Sequence, residues 1–150
     1  MDDTIRITHW INDNLQELSQ LDNNKGIEII NNCGKNCCKL SDLYKGACKV
    51  SNENKQADTD TLFHNFKEEY YHSDKSDYFT KKGNTITLIF DKCTCPMVKK
   101  GVNNSFLCNC TTGYSQKLFE TLFRKAIRVD LQKSILQGDS ICEQRITILS

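Results

Sequence analysis

Nine of the 150 residues are cysteine, and this count limits the chain more than any other feature. An odd number of thiols cannot all pair within one chain. The opening Met-Asp-Asp-Thr has neither the basic region nor the apolar stretch of a secretory signal. The expected compartment is therefore cytoplasmic, where thiols stay reduced and structural disulfides are rare. A small buried hydrophobe is the ordinary role of a single cysteine, so spacing has to distinguish the roles.

Two Cys-x-Cys pairs, Cys93/Cys95 and Cys108/Cys110, are separated by 12 residues. In extended chain, residues i and i+2 point to the same face. On neighbouring antiparallel strands the four sulfurs would converge, as a tetrahedral zinc ion with soft thiolate ligands requires. Cys142 follows a Gly138-Asp139 turn and can join them across the sheet. The expected metal ligands are thus Cys93, Cys95, Cys108, Cys110 and Cys142, with zinc as the cofactor. The competing reading is that Cys108 and Cys110, on a face with Phe106, pack into the core. Cys33 and Cys37 share one helical face and form a possible second pair, whereas Cys38 and Cys48 read as packing.

The 20 Lys+Arg and 19 Asp+Glu leave a net charge of +1. No basic surplus is available to neutralise phosphates, so nucleic acid is not an expected partner. No apolar run approaches the roughly 20 residues of a membrane helix, and no membrane partner is expected. At 150 residues the chain is sized for one domain with one core.

Ile7, Ile11, Leu15 and Leu18, with Trp10 beside them, predict a first helix with one apolar face. Asp22 to Asn24 interrupt it. A second helix is expected over 25–32, with Gly34 at its C′ position, and helical turns around Leu40, Leu43 and Tyr44. The polar run 51–60 reads as a solvated loop. Leu62, Phe63, Phe66 and Tyr70 return to helical spacing, with Thr59 or Asp60 as N-cap.

A strand is expected over 85–90, where Ile86, Leu88 and Phe90 share a face. Phe106, Cys108 and Cys110 suggest a second extended segment. A helix then starts near Ser115 and carries Leu118, Phe119, Leu122 and Phe123. Ile127, Val129 and Leu131 alternate with polar residues, Gln137 to Ser140 supply a turn, and Cys142, Gln144, Ile146 and Ile148 share a returning face. The fold class is α+β, with N-terminal helices packed on an antiparallel sheet built from two hairpins.

His9, His64 and His72 stand on polar helix sides without a catalytic signature around them. Tyr70, Tyr71, Tyr78 and Phe79 form an aromatic cluster suited to helix packing or to roofing a pocket.

The residues Leu118 to Phe123, Ala126 to Leu131, Gly138-Asp139, Cys142, Ile146 and Ile148 follow the order helix, strand, Gly-Asp turn, cysteine, final strand. In this the chain resembles the vinyl-reductase-type small-molecule-binding domain and related uncharacterised bacterial families. Their fold is shared with ligand-binding domains of nitric-oxide signalling and Golgi-transport proteins. The resemblance implies a small-molecule pocket between helices and sheet and, in several members, a zinc ion near the last hairpin. The family's Glu and Cys before the Gly-Asp turn fall on Lys133 and Ser134 here, while Cys142 is retained and Cys110 matches an upstream cysteine.

The functional expectation is a small-molecule and metal-binding module with a cysteine-rich zinc site, serving as a sensor or regulatory unit, with a homodimer as a possible assembly. The alternative is a thiol-dependent hydrolase or redox enzyme acting on a small substrate through an unligated cysteine.

Overall fold

Local chemistry starts each helix. In the computed structural model, which describes residues 2–149, the Asp2 carboxylate accepts the Thr4 N–H at 2.6 Å and caps α1 (Asp3–Ser19). Only the later part of the expected apolar face turns inward. Leu15 is buried with Ile11 and Leu18 packed beside it, but Ile7 and Trp10 stay exposed. Asn23 and Asn24 both take left-handed φ angles, 57° and 59°, which asparagine tolerates better than most residues, and they turn the chain into α2 (Lys25–Cys38).

Helix α2 extends beyond the expected 25–32, and Gly34 lies inside it. Its role is close approach: a Cβ at position 34 would stand 1.8 Å from the carbonyl oxygen of Cys110. Ser41 caps α3 (Asp42–Glu53) by accepting the Tyr44 N–H at 3.2 Å. The polar run expected as a loop from residue 51 is therefore helical at its start. There Ser51 is buried and accepts a hydrogen bond from Arg124 Nε at 2.6 Å. The cap of α4 (Thr59–Tyr70) is Asp58, one residue earlier than the sequence suggested, accepting the Thr61 N–H at 2.8 Å.

The sheet is four-stranded and antiparallel, in the order β1-β2-β4-β3. Strands β1 (Phe79–Lys82) and β2 (Thr85–Phe90) form the first hairpin around Gly83, whose φ is 59°. Strands β3 (Ile127–Lys133) and β4 (Cys142–Ile148) form the second. Ile146 aligns with Ile86 on one side and Val129 on the other, and Ile148 with Ile127. These residues face the helices. Arg145, aligned with Thr87 and Asp130, lies on the opposite, polar face.

The partner of β2 in the first hairpin differs from expectation. Residues 106–110 are not extended: Ser105–Leu107 form a 3-10 turn that leads directly into α6 (Cys108–Phe123). Asn104 accepts the Phe106 N–H at 2.9 Å and starts this turn. Three positions at spacing two fit a strand but are too few to exclude a helix, and the longer period through Leu118, Phe119 and Leu122 prevails. Ser115, expected as a cap, is buried in mid-helix and donates to Gln144 Oε1 at 2.6 Å.

Helix α6 lies on the sheet and is the hub of the fold. Phe119 and Phe123 on it, Phe63 and Phe66 on α4, and Phe79 on β1 build the main core, with the Phe63 and Phe79 rings 4.6 Å apart. A smaller cluster of Leu15, Ile30, Val102 and Leu107 joins α1 and α2 to the segment that carries the short helix α5 (Pro96–Lys99).

Candidate functional site

The second hairpin builds one corner of the site. A bulge between Leu131 and Lys133 ends the regular pairing of β3 and delivers Ser134 to the interior, fully buried. The Gly138-Asp139 turn then folds back on it. Gly138 takes a φ of 101°, open to glycine at little cost. Asp139 accepts the Ser134 N–H at 2.8 Å and donates its own N–H to the Ser134 carbonyl at 3.0 Å.

Two sulfurs from distant parts of the chain meet on this corner. Cys108, the first residue of α6, places its Sγ 3.1 Å from Ser134 Oγ. Cys142, the first residue of β4, accepts the Ile135 N–H on its Sγ at 3.3 Å. Phe90 aligns with Cys142 at the end of β2, so the chain leaving β2 toward Cys93 and Cys95 starts beside the same corner. Burial pushes the Cys108 thiol above its ordinary pKa. The hydrogen bond to Ser134 opposes the rise, and the negative charges of Cys142, Cys93 and Cys95 add to it.

Cys110 takes a different direction. Residues two apart on a helix are separated by about 200° of rotation, so Cys108 and Cys110 do not share the common face expected of a strand. Cys110 packs with Cys95 against the smaller cluster. Burial raises its thiol to about 11, with further contributions from the charges of Cys37, Cys95 and Cys33. Among the described residues, no three His, Cys, Asp or Glu side chains stand close enough together, as placed, to hold a metal ion.

Cys38 is wholly buried in the main core, and that burial takes its thiol to about 11. Cys48 is half-buried on α3, four residues from Tyr44, which packs against the same core. Tyr71 and Tyr70 pack against the core with tilted rings, Tyr71 5.1 Å from Phe79 and Tyr70 5.4 Å from Phe66. His9, His64 and His72 are exposed. Shallow grooves of about 430 and 310 Å³ flank α1, the larger lined by Asp3, Arg6, Ile7 and Trp10. No helix among the described residues is long and apolar enough to cross a membrane.

Two contributors were not singled out from sequence as builders of the site. Ser134 was noted only as a departure from a cysteine, yet it is the hydrogen-bond partner of Cys108. Gly34 was read as a helix end, yet it admits the Cys110 backbone. The signal for Ser134 was present in the Gly138-Asp139 turn, whose carboxylate needs a backbone N–H a few residues upstream.

An α+β fold, with helices packed on a four-stranded antiparallel sheet and the Cys108 and Cys142 sulfurs on one corner of it, is the class that the structure defines. The chain belongs to a family of unknown function (DUF6144), whose model matches residues 3–150. No curated protein matches it.

Proposed function

We propose that this chain is a metal-binding module in which Cys93, Cys95, Cys108 and Cys142 hold one soft divalent cation, zinc by preference, as a sensor or regulatory unit. The observation that carries the reading is the meeting of the Cys108 and Cys142 sulfurs on consecutive residues, Ser134 and Ile135. Both sulfurs already have polar partners from this buried corner. A backbone N–H aimed at sulfur and a hydroxyl beside it are the outer contacts that orient thiolate ligands. Binding requires Cys93 and Cys95 to move toward Cys108 and Cys142, since no three candidate ligands stand close enough as placed among the described residues. The ion displaces the thiol protons as it binds, including the one that burial holds on Cys108.

The rival reading, a thiol-dependent enzyme, requires a cysteine whose pKa is depressed. The shifts at Cys38, Cys108 and Cys110 all run upward. A metal site accommodates such thiols, because coordination removes the proton that burial retains.

Titration with Co²⁺ tests the proposal. Intense thiolate-to-cobalt absorption should appear and reach saturation, and Cys108→Ser combined with Cys142→Ser should remove the component due to this site. Absence of that absorption in the folded protein would overturn the reading. One cysteine alkylated rapidly by iodoacetamide, at a rate indifferent to zinc, would support the enzyme instead.

A further inference from the structure

The two outer strands of the sheet, β1 and β3, are built differently. Strand β1 is four residues long and guarded by lysines: Lys67 Nζ donates to the Phe79 carbonyl, and Lys81 Nζ to that of Gly83 at 2.7 Å. A short edge guarded in this way resists pairing with another chain. Strand β3 is seven residues long and contains no proline, and its one lysine, Lys133, lies beyond the bulge after Leu131.

The register of β3 on β4 fixes which groups this edge offers. The Ala126 carbonyl accepts the Leu149 N–H at 2.9 Å, and the same alignment sets Arg128 against Thr147 and Asp130 against Arg145. Hydrogen-bonded and non-hydrogen-bonded pairs alternate along an antiparallel ladder. The N–H and C=O groups of Ile127, Val129 and Leu131 therefore point away from β4, along an edge that no described strand pairs. Val129 and Leu131 are half-buried there, while the Ile127 side chain belongs to the core. Arg128 and Asp130 project from the polar face, 61% and 45% exposed, with Arg128 Nε donating to Asp130 Oδ2 at 3.1 Å.

We infer that β3 pairs antiparallel with β3 of a second copy of this chain, centred on Val129, and joins the two four-stranded sheets into one continuous sheet. In this register Val129 faces Val129 and Ile127 faces Leu131, so every pair uses the outward groups. Each pair exchanges two backbone hydrogen bonds, about six in all. On the polar face, Arg128 of each copy stands opposite Asp130 of the other. Opposite charges placed in this way stabilise a sheet, and like charges oppose it. Sliding one strand by two residues sets Arg128 against Arg128 in one direction and Asp130 against Asp130 in the other. The charge pattern thus selects both the register and the occupant, because β3 is complementary to itself read backwards. The bulge ends the paired segment and keeps Lys133 out of line with Lys125 of the second copy. No thiol takes part, so the pairing is independent of the metal reading.

Sedimentation velocity of the full chain over a concentration series tests this, with reductant present so that no disulfide links two copies. The wild type should pass from monomer to dimer as concentration rises. Arg128→Asp and Asp130→Arg each place like charges opposite one another, and each should abolish the dimer. Both positions are exposed, and thermal melting checks that both variants are folded. Mixed in equal amounts, the two variants should form a heterodimer, because their reversed strands complement each other. A wild type that stays monomeric throughout overturns the pairing and leaves the edge to a strand from another protein. A dimer that survives both reversals places the interface elsewhere, and a mixture that remains monomeric refutes the register.

Discussion

The core between α3, α4, α6 and the sheet contains fifteen buried hydrophobic residues among those described, while the cluster under α1 and α2 contains four. The first is aromatic: Phe63, Phe66, Phe79, Phe119 and Phe123 bury large rings against one another. Its buried cysteine, Cys38, acts there as a small apolar side chain. The second has no fully buried ring, and its partly buried shell includes Cys95 and Cys110. One end of the molecule thus has the apolar area to hold itself together. The other end is short of it, and the thiols collect there. Small cores commonly need a metal or a covalent link to supplement packing. Under the proposal, the ion would also have a structural role, tying α6, β4 and the chain beyond β2 together where apolar contact is thin.

The largest effect should come from breaking the aromatic side. Phe119 is buried, with its ring centroid 6.0 Å from those of both Phe79 and Phe123. Phe119→Ala should cost about 4 kcal/mol in urea unfolding, the usual range for deleting a buried ring. A loss under about 1 kcal/mol would mean that this core is not the stable half.

Next is the joint between the halves. Alanine is ordinarily the better helix former, by up to about 1 kcal/mol over glycine. Gly34→Ala should nevertheless destabilise by about 2 kcal/mol, because its Cβ would collide with a backbone oxygen that cannot move aside alone. Thermal melting of this variant beside Gly83→Ala separates the two causes: Gly83 has open space around it, and only its positive φ opposes a side chain.

Within the thiol-rich half, Ser134→Ala removes the hydroxyl beside Cys108 without adding bulk. Loss of an outer contact of this kind should weaken zinc binding about tenfold, measured by competition with a chromophoric chelator. Unchanged affinity would detach Ser134 from the site.

The smallest effect belongs to the helix cap of α4, on the aromatic side. The hydrogen bonds from the Thr61 backbone and side chain hold the Asp58 carboxyl below the ordinary carboxylate range. A lowered folded-state pKa contributes stability that is present above the unfolded value and lost as pH falls through the folded one. Asp58→Ala should therefore lower the melting temperature slightly near neutral pH, and the gap should close in acid. A gap that persists at low pH would assign the effect to helix propensity.

The same division explains what could be read from sequence. Strands 85–90 and 142–148 and the helix over 59–70 belong to the aromatic half, where strong periodicity and clear capping residues coincide, and they were read nearly residue for residue. Strand β1 (Phe79–Lys82), the helical start of the polar run at residue 51 and the Asp58 cap were missed there, and the remaining errors collect around the thiols. Cys108 and Cys110 fitted a strand only because the window was three positions long, and Gly34 suggested a terminus only because glycine commonly marks one. Both are decided by tertiary contact: α6 begins early because Leu107 is buried against α1 and α2, and Gly34 is needed for a crossing partner more than seventy residues away. Cysteine itself blurs the pattern, since the same side chain serves a core and a metal. The grouping of Cys93, Cys95 and Cys142 rests on spacing and the Gly-Asp turn and belongs to the proposed site. The separation of Cys110 from Cys108 was not legible, because it depends on helix rotation.

Elemental analysis of the chain purified without chelator tests the thiol site most directly. At least about one equivalent of zinc per chain is expected, with a marked loss in the variant carrying Cys108→Ser and Cys142→Ser. Less than about half an equivalent of any transition metal, with every thiol freely titratable in the folded protein, would contradict it.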